Sequence, residues 1–299
     1  MADSVTIGPL TPDDAVEASE LSDRVWRAYG AAQGRPDPPA PTEEEVDRSR
    51  RHFRRHAELD PDDAHAAWDG DRLVGVALAR RRETLWGLSL LIVDPDAQSR
   101  GVGRRLLDAS LTTVGDAATA LIVSSQDPRA AARYAFAGFA LHPTLRAAGA
   151  LDREALGAVD GERDGDEADH GWIDDLGRDL RGAGYGPDLA ELAEDAELVV
   201  VDRGSRRGWA FIREAGVGQL GATDVELAAD TLRAALARTT PSLSDQERGE
   251  GAVVPRLGAA HQWAIDVVVH AGLRLAPWGP VCVRGRLPAA HYLPHGMMF

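Results

Sequence analysis

Cysteine is nearly missing from this chain: Cys282 stands alone among 299 residues. One thiol can build neither an intramolecular disulfide framework nor a cysteine-based zinc site. No stretch approaches the ~18 continuous apolar residues needed to span a bilayer, so no membrane partner is expected. The opening "MADSVTIGPL" lacks the basic and apolar blocks of a secretory signal. Together these absences point to a reducing, cytoplasmic location. Positive charge is also in deficit, 33 basic against 48 acidic residues for a net charge of −15. Phosphates would be repelled overall, which argues against a nucleic-acid partner and is compatible with a cationic amine substrate. There is no G-x-S-x-G nucleophile elbow and no Gly-Lys-Ser/Thr phosphate loop.

What is present suits a packed enzyme-sized body. The hydrophobic fraction is 44%, and the length has room for two ordinary domains. A strand is expected near Val5–Gly8, then a helix from Thr11-Pro12 to about Tyr29. A charged helix is expected from Glu43 to Leu59, with Thr42 and Glu45 at capping-box spacing. Asp69-Gly70 joins two short apolar runs as a hairpin, and "TLWGLSLLIV" reads as the next strand. The second half repeats the pattern. "GVALAR" at 75–80 returns as "GWAFIR" at 208–213, and "AGFAL" at 137–141 returns as "AGLRL" at 271–275. The spacing within each pair of echoes differs by a single residue, so the chain reads as a duplicated α/β (α+β) unit. The halves are taken as residues 1–150 and 158–299.

The stretch "LIVDPDAQSRGVGRRLL", Leu91 to Leu107, puts glycines and arginines where a strand hands over to a helix. Glycine at positive φ exposes neighbouring N–H groups, and a helix start presents unpaired donors and a positive dipole end. A pyrophosphate would fit there, with Arg100, Arg104 and Arg105 adding charge. Equally, the glycines could simply make the turn. The stretch is not a dinucleotide fingerprint, because the third glycine is missing.

Two motifs in order carry a family resemblance. "QSRGVG" resembles the Q/R-x-x-G-x-G/A acyl-CoA loop of the GCN5-related N-acetyltransferases (GNAT). "AARYAFAGFAL" is similar to that family's A-x-x-Y-x-x-x-G-F segment. The resemblance implies two tandem units, each a mixed, mostly antiparallel sheet flanked by helices. It implies acetyl-CoA as co-substrate, no metal, and direct attack by a primary amine of a small-molecule or peptide acceptor. The backbone of Leu91, Ile92 and Val93 would pair with the pantetheine chain, with strand amides holding the developing oxyanion. Gln98, Ser99, Arg100, Gly101, Val102, Gly103 and Arg104 would surround the pyrophosphate, held by main-chain amides from Ser99 to Arg104. Tyr134 would protonate the departing thiolate. A general base is not evident: Glu83 stands at the start of its strand, and Ser89 is a poor base. The second half has "VGQLGATDVELAADTL" in place of the glycine loop and Val268 in place of the tyrosine, which implies a degenerate copy. It would complete the acceptor cleft within a monomer or homodimer. The alternatives are a non-catalytic acyl-CoA-binding sensor or scaffold, and transfer of a longer acyl group.

Four further features carry no function of their own. His52 and His56 have helical metal-pair spacing, but no Glu beside His52 completes an H-E-x-x-H motif and neighbouring arginines would repel a cation. "DGERDG" at 160–165 begins like a calcium loop yet has Gly171 at its twelfth position, and reads as an acidic connection. "GAGYG" at 182–186 reads as a loop, and the tail "AAHYLPHGMMF" as a terminal strand or arm.

Overall fold

The computed structural model describes residues 5–213, 216–240 and 251–299. They fall into two compact units, one holding residues up to 81 and 86–116, the other residues 82–85 and 117–299.

In the first unit the chain runs β1 (Val5–Pro9), α1 (Ala15–Ala32), α2 (Glu43–Leu59), β2 (Ala64–Asp69), β3 (Arg72–Arg82), β4 (Leu85–Val93) and α3 (Val102–Leu111). The strands are ordered β1-β2-β3-β4, with β1/β2 and β2/β3 antiparallel. α1 begins later than its sequence signal, because Pro12–Asp14 form a short 3-10 turn. The turn closes on itself, the Thr11 amide donating to Asp14 Oδ2 at 2.7 Å. α2 has the expected bounds, and its capping box closes with the Glu45 amide on Thr42 Oγ1 at 3.3 Å and the Thr42 amide on Glu45 Oε2 at 2.7 Å. Gly70 supplies the positive φ, +63°, of the β2–β3 turn. A bulge opposite Ala67–Trp68 shifts the inside/outside alternation of β3. Leu73, Val76 and Leu78 therefore pack with Leu21 and Phe53 of α1 and α2, while Val74 and Ala77 pack with Val102 and Leu106 of α3. Gly75 is what lets α3 lie close. A Cβ there would stand 2.8 Å from Leu106 Cδ1 and 3.2 Å from the Ile92 carbonyl.

The second unit contains β5 (Thr119–Val123), α4 (Pro128–Phe136), β6 (Ala140–Gly149), β7 (Glu162–Asp164), α5 (His170–Arg181), α6 (Asp188–Asp195), β8 (Glu197–Arg203), β9 (Arg206–Arg213) and β10 (Gly216–Ala222). There follow α7 (Val225–Arg238), β11 (Ala252–Leu257), α8 (Gln262–His270), β12 (Arg274–Gly285) and β13 (Tyr292–Leu293). Its strands are ordered β5-β12-β6-β11-β10-β9-β8-β7, with β13 added to β10. All these pairs are antiparallel except β10/β11. The fold is thus mixed, mostly antiparallel sheet flanked by helices, as the sequence implies.

The echoes in the sequence mark equivalent jobs. Gly208 of β9 lies under α7, where a Cβ would collide with Thr231 Oγ1, just as Gly75 lies under α3. Gly138 and Gly272 follow α4 and α8 at φ +87° and +83°. After each glycine an apolar residue returns its amide to the helix, Phe139 to the Tyr134 carbonyl and Leu273 to the Val268 carbonyl. Both apolar side chains are buried. This is the left-handed helix stop that favours glycine. The strands that follow are exchanged: β12 pairs with β5, and β6 pairs with β11. β6 and β12 pair with each other between them. The contact boundary consequently falls at residues 116/117, ahead of β5.

The remaining motifs resolve locally. In "DGERDG", Glu162 and Asp164 form part of β7 and are engaged by Arg238. "GAGYG" begins with Gly182 as the left-handed cap of α5 and carries the fully buried Tyr185 against Trp209. The tail does form a terminal strand, β13.

Candidate functional site

The loop between β4 and α3 is built outward from Asp94, a residue the sequence reading did not single out. Its side chain is 1% exposed. Oδ1 accepts from the Asp96 amide at 3.0 Å, and Oδ2 accepts from Arg24 Nε at 3.0 Å and Arg72 Nη2 at 2.8 Å. Burial alone would raise its pKa, but the Asp96 amide and the two guanidinium groups hold the carboxyl below its usual range. The Asp94 amide donates to the Val74 carbonyl at 2.9 Å, so the corner is pinned to β3. Pro95–Ala97 form a short 3-10 turn, and Gln98 Nε2 reaches back to the Val93 carbonyl at 3.2 Å. The Asp-Pro pair at a strand end was the available signal for this corner.

Two left-handed residues then aim the backbone. Ser99 has φ +63° and Gly101 has φ +79°. Such a conformation costs a non-glycine residue about 1–2 kcal/mol and turns neighbouring N–H groups into an anion-binding concavity. Around Gly101 there is open space, with nothing within 4 Å of a Cβ built on it. α3 starts immediately with Gly101 as its N-cap, and no side chain caps it. Side-chain oxygens cap three helices, Thr42 at α2, Asp127 at α4 and Asp224 at α7, whereas α1, α5, α6 and α8 share with α3 the lack of such a cap. At α3 the first two amides, Val102 and Gly103, have no side-chain acceptor, while those of Arg104 and Arg105 return to the Gly101 carbonyl at 3.1 Å.

The arginines divide their work. Arg100 Nη1 binds Asp69 Oδ2 of the β2–β3 turn at 2.8 Å, and Arg105 Nη1 donates to the Val5 carbonyl of β1 at 2.8 Å. Arg104 is exposed, with only a 3.6 Å approach to Asp108 one turn along. It is the arginine best placed to meet an incoming anion. Leu91, Ile92 and Val93 end β4 just ahead of the loop. The ten residues expected around the cofactor therefore lie together on one strand–loop–helix segment of the first unit.

Tyr134 belongs to the second unit, on α4, with 6% of its surface exposed. Burial pushes its phenol well above the usual value, helped by Cys282, whose own thiol burial raises to about 12. Tyr134 thus stays protonated throughout the physiological range. The candidate bases fare poorly. Glu83 sits in the turn after β3, where its Oε1 accepts from Arg178 Nε at 2.8 Å. β4 itself carries no carboxylate or imidazole.

The histidine pair of α2 is structural: His56 is buried with Nε2 2.8 Å from the Ala79 carbonyl, and the two rings stack edge-on at 6.2 Å. Among the described residues no group of three or more His, Cys, Asp or Glu side chains gathers as a metal site would. Among them, too, no helix is long and apolar enough to cross a membrane.

Comparison with known proteins bears on the fold. The acetyltransferase (GNAT) domain family matches residues 41–149. No curated protein matches the sequence. Among solved structures, a candidate acetyltransferase from Pyrococcus horikoshii is similar over 100% of this chain and 97% of its own, at 16% identity and a TM-score of 0.72. A GCN5-related N-acetyltransferase from Sphaerobacter thermophilus is similar over 99% of each chain, at 13% identity and a TM-score of 0.57. A tandem GNAT protein from the clavulanic acid biosynthesis pathway is similar over 95% of this chain and 99% of its own, at 15% identity and a TM-score of 0.54. At such identities the likeness to these structures is one of fold.

Proposed function

We propose that this chain, whose residues 41–149 match the acetyltransferase (GNAT) domain family, transfers the acetyl group of acetyl-CoA to a primary amine by direct attack. The observation that carries this reading is the start of α3, left without a side-chain cap behind left-handed Ser99 and Gly101. Main-chain amides from Ser99 to Arg104 hold the coenzyme's diphosphate, with Arg104 adding charge at the rim. The end of β4, Leu91 to Val93, pairs through its backbone with the pantetheine amides. An amide of that strand stabilises the thioester oxygen as it becomes an oxyanion, a contribution of ~3 kcal/mol per donor.

Amine attack forms the C–N bond, and collapse of the tetrahedral adduct breaks the C–S bond. Tyr134, kept neutral by burial, supplies the hydrogen bond or proton that the departing thiolate needs. Because β4 offers no base, the amine reaches the thioester already neutral or loses its proton to solvent.

That same lack of a base favours a second reading, a non-catalytic acyl-CoA sensor. The two are separated by following free thiol release from acetyl-CoA against a panel of amines, alongside calorimetric titration with coenzyme A. Uptake with turnover on at least one amine supports the transferase. Uptake without turnover across the panel supports the sensor, and no uptake refutes both. Acetyl-, propionyl- and longer acyl-CoA in the same assay define the acyl group.

A further inference from the structure

In the second unit β10 hands over to α7 as β4 hands over to α3 in the first. β10 and β11 are parallel, and among the described residues they pair at a single position, Gly216 with Val253. Beyond it β11 turns away. A bulge falls between Val254 and Leu257, and Arg256 within it takes the left-handed φ of +65°. Two parallel strands that part in this way leave N–H and C=O groups that must find other partners. On β10 the partner is β13, added antiparallel with Leu293 opposite Leu220 and Tyr292 opposite Gly221. The ladder continues where the Ala222 amide donates to the His291 carbonyl at 3.2 Å.

The added segment is locked at several points. The Ala289 amide donates to the Leu180 carbonyl at 2.7 Å, and Trp263 Nε1 donates to the Ala290 carbonyl at 2.7 Å. Gln219 Nε2 donates to the Tyr292 hydroxyl at 2.7 Å, and Tyr292 and Leu293 are both buried. Arg256 leans over the far end, its Nη1 3.5 Å from the Pro294 carbonyl. The neighbouring helix is satisfied as well. Where α3 begins with bare Gly101, α7 begins with Asp224, whose Oδ1 accepts from the Leu227 amide at 2.9 Å. Arg206 bridges Asp224 to Glu226, closing that helix start to a second anion.

We propose that the second unit is self-liganded: residues 289–294 occupy the strand-addition slot of β10 in place of a coenzyme's amide chain, and the Asp224 carboxylate occupies the helix start in place of its diphosphate. The inference rests on the function proposed above for the first unit. It makes the tail a permanent strap and limits the chain to one acyl-CoA.

Calorimetry on the full chain tests it with coenzyme A as the probe. One site per chain is expected, and it disappears in the Gly101→Val/Gly103→Val variant. Two sites in the unaltered chain, or one site surviving in that variant, would overturn the strap inference while leaving coenzyme binding intact. No site at all would instead overturn the function from which the inference starts. Hydrogen exchange reads the strap directly. At saturating coenzyme A the amides of 291–293 keep their protection, and in Leu293→Asp the Ala222 amide exchanges at least tenfold faster with helix content retained. Loss of strap protection on adding coenzyme A, or an Ala222 amide indifferent to Leu293→Asp, overturns it.

Discussion

Replacing Gly101 by alanine isolates the conformational part of coenzyme binding. A Cβ at this position meets nothing within 4 Å, so the substitution introduces no clash. What it changes is the φ of +79°, which alanine adopts at a cost of about 1–2 kcal/mol. The variant either carries that cost in the folded state or relaxes to negative φ and turns the loop amides away. In the second case the binding-competent population falls by about 5- to 30-fold, and the apparent dissociation constant rises by the same factor. Gly101→Asn should recover part of the loss, because asparagine tolerates the left-handed region better. The matching measurement is titration of each variant with coenzyme A and with pantetheine, which lacks the diphosphate. Affinity for coenzyme A should drop by about tenfold in Gly101→Ala, with pantetheine affinity unchanged. Equal weakening for both ligands, or no change for either, would show that the loop does not read the diphosphate.

Other consequences are open to direct measurement. Tyr134→Phe should lower kcat by ~10²- to 10⁴-fold with the KM for acetyl-CoA nearly unchanged, and a wild-type kcat would remove this residue from the chemistry. With no base on β4, log kcat/KM should rise with unit slope until the pKa of the acceptor amine; a plateau near pH 6–7 would reveal an enzyme base that this reading lacks. Asp94 has a depressed pKa in the folded chain, so its contribution is present above the unfolded carboxyl pKa of ~3.9 and is lost as pH falls through the lower folded value. Asp94→Asn should therefore lower the urea midpoint at pH 7 and flatten the acid limb of the stability profile, and two superimposable profiles would contradict the role given to Asp94. Gly75→Val should cost about 1–3 kcal/mol by pushing α3 off β3, read as a lower urea midpoint at unchanged m-value.

Much of the coenzyme segment was legible because its signals are local. A glycine pair after an apolar run, and a capping-box Thr42 three residues before Glu45, state their conformation in a few residues. The repeated glycines were legible as a pattern, although their purpose was not. That Gly75 and Gly208 make room for helices emerges only when α3 and α7 are laid on the sheet. Asp94 was overlooked because its partners, Arg24 and Arg72, come from distant parts of the sequence. Arg105 illustrates the converse. Its position suggested charge for a ligand, whereas its guanidinium is spent on the Val5 carbonyl. Strand exchange in the second unit left no local trace, because β6 and β12 read as ordinary strands whichever neighbour they choose.

That exchange governs how the molecule can be made. Residues 119–123 hydrogen-bond to residues 281–285, so the edge of β5 that meets β12 lacks this partner until nearly the whole polypeptide has left the ribosome. Contacts this remote in sequence slow folding and hold unpaired strand edges open to association. Synthesis of the first half thus ends in a waiting state rather than a finished domain, and chaperone occupancy on stalled nascent chains should persist past residue 150 and fall only once the final strands emerge.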